Sequence, residues 1–109
     1  MQRITITDDA NQVFKTTLGG QVVSISLAWQ DVSKSWFFSL FNDTIICENR
    51  RITPAIFILN YVFTNFSGDF MAISESEPEA EITRNNFLTV YDFYYFTAEE
   101  KEKIKNAII

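Results

Sequence analysis

The alternation of apolar and polar positions is clearest from Gln21 to Asn42. Val23, Ile25, Leu27 and Trp29 alternate with Ser24, Ser26 and Ala28, the period-two signature of a strand with one buried face. After a polar break from Gln30 to Ser35, Trp36, Phe38 and Leu40 resume the same period, and Phe37 and Phe41 fall on the opposite face. The first strand therefore has a polar back and the second does not. Trp29 and Trp36, in phase with Leu27 and Phe38, are expected core anchors. A second apolar face on a small protein is a reason to expect a partner, and that suspicion falls on Phe37 and Phe41.

On the N-terminal side, Arg3 to Thr7 predicts a short strand, closed by turn-forming residues from Asp8 to Asn11. Gln12 to Leu18 predicts another. Gly19 and Gly20 join it to the strand at Gln21 as a hairpin, because both residues accept positive φ. These elements are expected to form one meander. Beyond it, Asn42-Asp43 turns the chain into a strand over Thr44 to Glu48, extendable through Arg50, Arg51 and Ile52. Pro54 lacks an N–H and takes the chain out of the sheet or along an edge. Ile56 to Phe63 is apolar without a clean period, compatible with a short helical turn or a buried strand.

Ser67-Gly68 leads into a strand over Asp69 to Ser74, with Phe70 and Ala72 on one side and Met71 and Ile73 on the other. Glu75 to Asn86 is the long polar stretch and predicts a surface loop. Phe87 to Phe96 predicts the last strand. Leu88 and Val90 share a face with Asp92, and Tyr91, Phe93 and Tyr95 share the other, so a bulge or burial on both faces is expected. Thr97 to Ile109 predicts a helix: Thr97 and Glu100 form a capping box, and Ile104, Ala107 and Ile108 make a narrow apolar stripe. That stripe docks on its own fold or reaches a neighbouring subunit. The expected fold is all-β, a barrel-like or sandwich domain of seven to eight antiparallel strands with a short C-terminal helix, one domain over 1–109. The candidate interface residues are Phe37, Phe41, Tyr91, Phe93, Tyr95, Ile104 and Ile108.

Composition sharpens this picture in two places. Among 109 residues, 11 Phe, 4 Tyr and 2 Trp are more aromatics than a small core requires, so some are expected to pack between chains. The formal charge of -5 is uneven: residues 69–100 hold eight acids against Arg84, and residues 1–68 balance five against five. No basic stripe is present to neutralise phosphates, which argues against direct nucleic-acid binding. The longest apolar run, Ala55 to Leu59, is far below the ~20 residues that span a bilayer. The start lacks the pattern of a signal peptide, and a soluble protein made in a cytoplasm is expected.

Catalytic chemistry finds little support. The chain has no histidine, which removes the commonest general base and metal ligand. The single Cys47 excludes an internal disulfide and sits among Ile45 and Ile46, as a buried structural thiol would. Paired carboxylates exist at Asp8-Asp9 and among Glu75, Glu77, Glu79 and Glu81, but a calcium loop needs clustered Asp and Asn ligands with a glycine at its turn. A solvated loop is the better reading. No enzymatic role, metal or cofactor is expected. One alternative function is a β-rich module that recognises carbohydrate or protein through exposed aromatics.

The order of features resembles the small baseplate plug proteins of contractile-tailed bacteriophages, a family typified by a cyanophage baseplate plug. The resemblance rests on Asn11-Gln12-Val13-Phe14 after an alternating start, the strand pair bearing Trp29 and Trp36, Phe38-Ser39-Leu40, and Asn42-Asp43. It continues through Thr53-Pro54, Gly68 before Phe70-Met71-Ala72-Ile73, Glu77-Pro78, Asn85-Asn86, Tyr94-Tyr95-Phe96 and Thr97-Ala98-Glu99-Glu100. The chain departs from the family at Phe87, where a glycine is usual, and in its lysine-rich end. The resemblance implies a non-enzymatic structural virion protein in the tail baseplate, made in the bacterial host cytoplasm. It also implies a homo-oligomer, threefold or sixfold, that closes the tube lumen and contacts tail hub, tube or spike proteins, with no membrane partner.

Overall fold

The computed structural model describes residues 1–59, 66–74 and 81–108, the side chains of Leu88, Ala107 and Ile108 excepted. Among the described residues, seven strands form two antiparallel sheets. Asn11–Leu18 (β2), Gln21–Gln30 (β3), Ser35–Phe41 (β4) and Ile45–Arg51 (β5) make a four-stranded meander in chain order. Gln2–Ile4 (β1), Asp69–Ile73 (β6) and Asp92–Phe96 (β7) make a three-stranded sheet in the order β1-β7-β6. The sheets pack face to face as a sandwich rather than closing into a barrel. Phe38 of β4 sits with its ring centroid 4.8 Å from Phe70 of β6 and 5.8 Å from Phe93 of β7.

The first strand departs from the expected meander. β1 does not pair with β2; it lies beside β7, with Arg3 opposite Tyr94 and Ile4 opposite Phe93. The physical reason lies in the polar turn that follows it. The Gln12 side chain donates to the carbonyls of Thr7 and Asp9 and accepts from the Thr7 N–H, fixing a loop that carries the chain between sheets. Ile4 thereby reaches the core.

The hairpin at Gly19-Gly20 forms as expected, with Leu18 opposite Gln21 and both glycines at positive φ (57° and 77°), the two-residue turn that matches strand twist. Val23, Ile25 and Leu27 are buried, and Phe14 and Trp29 pack partly buried against the same core. Pro54 marks the exit from the larger sheet. The Ile52 N–H still bonds the Trp36 carbonyl, after which Ala55 and Ile58 donate to the carbonyls of Ala72 and Phe70. The crossing segment thus runs along the outer edge of β6 without forming a strand. The rest of the apolar run, 60–63, lies outside the described residues.

The expected strand over Phe87 to Phe96 is only half realised. Asn86–Thr89 (α1) is a single helical turn, and β7 begins at Asp92. Thr83 and Asn86 explain it: the Thr83 N–H donates to Asn86 Oδ1 (2.6 Å) and the Asn86 N–H to Thr83 Oγ1 (3.2 Å). These reciprocal bonds tie the loop at Thr83 to the first residue of the turn, whose own N-cap, Asn85, makes no side-chain cap bond. Phe87 then drops into the core against Trp36 and Phe93.

The C-terminal helix, Ala98–Ile108 (α2), carries the expected box. The Thr97 N–H donates to Glu100 Oε1 (2.9 Å) and the Glu100 N–H to Thr97 Oγ1 (3.2 Å). Ile104 packs against Phe57, Met71 and Phe96, the second, smaller core on the outer side of the three-stranded sheet. The alternation of β6 is thereby used twice: Phe70 and Ala72 face the main core, and Met71 and Ile73 face the helix side.

Candidate interaction surface

The outer face of the four-stranded sheet follows from the register. Residues directly opposite one another in an antiparallel pair point to the same side, so Phe37 shares a row with Ala28 and Arg51, and Phe41 shares one with Ser24 and Ile45. Val13 lies opposite Ser26, and Val22 opposite Thr17. Their inward neighbours Ile25, Leu27, Phe38 and Leu40 are fully buried. The outer row is not: Val13, Val22 and Ile45 are 72%, 58% and 56% exposed, and Phe37 and Phe41 are half-buried.

Small residues surround those two phenylalanines. Ser24, Ser26 and Ala28 on β3 present little bulk, and Ser39, between the rings on β4, turns its hydroxyl to accept the Asn49 N–H at 3.0 Å. The result is a low apolar surface with Phe37 and Phe41 standing above hydroxyl-bearing neighbours. Lys15 and Arg51 are its cations.

The other candidate interface residues lie elsewhere. Tyr91, Phe93 and Tyr95 are buried in the main core. Phe93 packs against Phe38, Phe70 and Phe87, and Tyr95 against Phe66 and Phe70. Phe93 and Tyr95 take the inward face of β7 by alternation with Tyr94 and Phe96, which turn to the helix side, and Tyr91 just before the strand joins them, so these three rings form no surface of this chain. Ile104 is half-buried against its own sheet, and the side chain of Ile108 lies outside the described residues.

Trp36 offers no open stacking face, and Trp29 is partly buried against the core. Trp36 is buried, donates its indole N–H to the Thr83 carbonyl (3.0 Å), and is covered by Phe87 and by the Arg84 guanidinium 5.5 Å from its ring centroid. Trp29 lies beside it at 5.8 Å and donates to Asp31 (2.7 Å). A cleft of about 340 Å³ opens next to Arg84, lined by Thr7, Asp8, Asn85, Phe87 and Thr89. Arg84 spans it by bonding the Asp8 carbonyl.

Two polar arrangements that sequence reasoning missed hold the sheets in place. At one end, Gln21 donates to the carbonyls of Leu18 and Ser67 (both 3.1 Å) and accepts from the Ser67 N–H (2.9 Å), and the Tyr95 hydroxyl donates to the same Ser67 carbonyl at 2.7 Å. Burial pushes the Tyr95 phenol above its ordinary range. Two residues along, at the start of β6, fully buried Asp69 accepts the N–H groups of Leu59 (2.8 Å) and Phe70 (2.7 Å) and pairs with Lys101 of α2. A polar residue opening an apolar strand was the available signal for Asp69.

Cys47 is buried, as expected, and desolvation raises its thiol pKa, the opposite of what a reactive thiolate needs. Among the described residues no three His, Cys, Asp or Glu side chains group as a metal site would require. No helix is long and apolar enough to cross a membrane.

The family model described as cyanophage baseplate Pam3 plug gp18 matches residues 1–99 of the chain. No curated protein matches it. The chain belongs to that baseplate plug family, a family of structural components of the phage tail.

Proposed function

We propose that this member of the baseplate plug family closes the lumen of the tail tube at the baseplate as a homo-oligomer, and that the outer face of the four-stranded sheet carries the contact between copies. The observation that supports this reading is the apolar row of that face, where Val13, Val22 and Ile45 are exposed around half-buried Phe37 and Phe41. A contact of standard size would take about 800 Å² per partner out of 6710 Å² of accessible surface. Most of one sheet face would have to take part, which an apolar, small-residue sheet surface allows and a charged one does not.

Charge supports the lumenal role. The acids outnumber the bases by 14 to 9, and residues 69–100 hold eight acids against Arg84. DNA would pass such a protein without adhering once the plug is released.

The test is assembly in solution and on the hub. Light scattering behind size exclusion should give a mass several times that of one chain, alone or with the neighbouring hub protein. Particles with the chain removed should leak or lose baseplate integrity. A strict monomer that also fails to bind purified hub overturns the reading.

A further inference from the structure

The free edge of β2 is the most regular unpaired strand edge among the described residues. The hairpin at Gly19-Gly20 makes Leu18 and Gln21 a hydrogen-bonded pair, and the bond from the Trp29 N–H to the Ala10 carbonyl (2.8 Å) sits in the same phase. Even-numbered residues of β2 therefore bond to β3. The N–H and C=O groups of Asn11, Val13, Lys15 and Thr17 point the other way, and no described residue bonds to them. The side chains at these four positions are exposed.

Strand edges are normally guarded by short length, proline, bulges, charged side chains (lysine above all) or a covering segment. The edges of the other strands show such devices. β5 has two register shifts against β4 and a positive φ at Asn49, β6 is covered by the bonds from Ala55 and Ile58, and β1 is three residues long. β2 has eight residues, no proline and no shift in register, and a single lysine, Lys15, is its one guard.

We infer that the β2 edge pairs with β2 of a second copy across a two-fold axis, Val13 standing opposite Lys15 of the partner and Phe14 opposite its own counterpart. This deepens the plug reading by naming a contact between copies, and it rests on self-association. Only registers whose residue numbers sum to an even value keep outer side chains with outer and inner with inner, because a one-residue slip exchanges the faces. Of these, pairing centred on Phe14 joins Asn11 to Thr17 and Val13 to Lys15, uses all four outward-pointing residues, and leaves no lysine facing a lysine. Centring on Lys15 would set two like charges directly opposite. The chosen register also brings together two half-buried Phe14 rings, sealing the core where the sheet ends. Two four-stranded sheets become one of eight strands, with the apolar outer faces continuous across the axis.

An isologous contact of this kind closes in pairs. With the sheet-face contact it builds even-numbered assemblies, so a sixfold plug is three such pairs and a simple three-membered ring does not use the edge.

Two measurements test the inference. Opposite residues in a hydrogen-bonded pair lie about 5.5 Å apart at Cα, within the range a disulfide spans. In a Cys47→Ser background, mixed V13C and K15C chains should form an interchain disulfide on mild oxidation, and neither variant alone should. Val13→Pro removes an N–H that makes no bond inside the chain, so the thermal midpoint should stay within a few degrees and the particle mass should fall at least twofold. Absence of the mixed cross-link, cross-linking of either variant alone, or unchanged mass in Val13→Pro overturns the pairing. If Val13→Pro assembles normally and Phe37→Ser does not, the edge pairing fails and the plug reading stands. If neither changes assembly, both fail.

Discussion

Nζ of Lys101 lies 2.8 Å from Oδ2 of Asp69, and both residues are buried. The pair fastens α2 to the first residue of β6, and the ammonium also sits 5.5 Å from the centre of the Phe57 ring. Asp69 Oδ1 meanwhile holds the backbone of Leu59 and Phe70. One carboxylate thus organises the crossing segment, the strand and the helix. Breaking a buried pair strands the remaining charge and costs about 3–5 kcal/mol. Lys101→Met should lose stability of that order in urea denaturation. The double variant with Asp69→Asn should lose clearly less than the sum of the two single changes.

Gly68 stands at φ 108°, and a methyl group there would lie 2.6 Å from the Tyr95 ring and 2.7 Å from its hydroxyl, with the Phe96 carbonyl also in the way. Neither the backbone angle nor the space admits alanine. Gly68→Ala should therefore cost about 3 kcal/mol or more. Gly20→Ala, at φ 77° but with no heavy atom within 4 Å, should cost only about 1 kcal/mol, as αL strain alone. Equal effects in thermal or urea unfolding would show that the close approach at Gly68 is unimportant.

The strands were legible wherever apolar residues alternated. β2, β3, β4 and β6 lie where the period places them, because a two-layer fold buries one face of each strand. The partner of β1 was not legible, since Ile4 and Ile6 would suit either sheet, and the side-chain bonds of Gln12 decide between them. Phe87 was assigned to a strand because its run is aromatic; the Thr83–Asn86 bonds override that preference locally. Tyr91, Phe93 and Tyr95 are interface candidates in the sequence because the run from Phe87 to Phe96 carries bulky apolar residues on both faces. Only the sheet order, with β7 in the centre, shows that one side packs on the main core and the other under α2. The face of Phe37 and Phe41 was visible in the sequence because alternation on β4 leaves them no place inside.

Tyr95 couples the fold to alkaline pH. Its phenol is held above the usual tyrosine range chiefly by burial, with a Gln21 hydrogen bond opposing the rise and the Glu100 carboxylate adding to it. A folded pKa above the unfolded one means a contribution that is complete below pH 10 and lost as pH climbs through the folded value. Phenolate absorbance should show a late component that coincides with unfolding. Tyr95→Phe should remove that component and, by losing the Ser67 bond, lower stability at neutral pH by about 1 kcal/mol. A titration with the same late component in Tyr95→Phe would assign it to another tyrosine.

Phe37 and Phe38 are neighbours on β4 with opposite surroundings, and they separate assembly from folding within one strand. Phe38 is fully buried, in ring contact with Phe70 and Phe93, so Phe38→Ala should cost about 3–5 kcal/mol and reduce the yield of folded chain. Phe37 is half-buried between Ala28 and Arg51 on the outer face. Phe37→Ser should leave the unfolding free energy within about 1 kcal/mol of the parent, since no inward contact is lost. Its effect should appear as dissociation: truncating an aromatic at the centre of an interface commonly costs about 2 kcal/mol or more of binding, close to thirtyfold in the association constant. Sedimentation at matched concentrations should then show smaller particles for Phe37→Ser at unchanged stability, and Phe41→Ser should behave alike. If Phe37→Ser unfolds as readily as Phe38→Ala, the outer face supports the fold rather than a contact, and the copies must meet elsewhere.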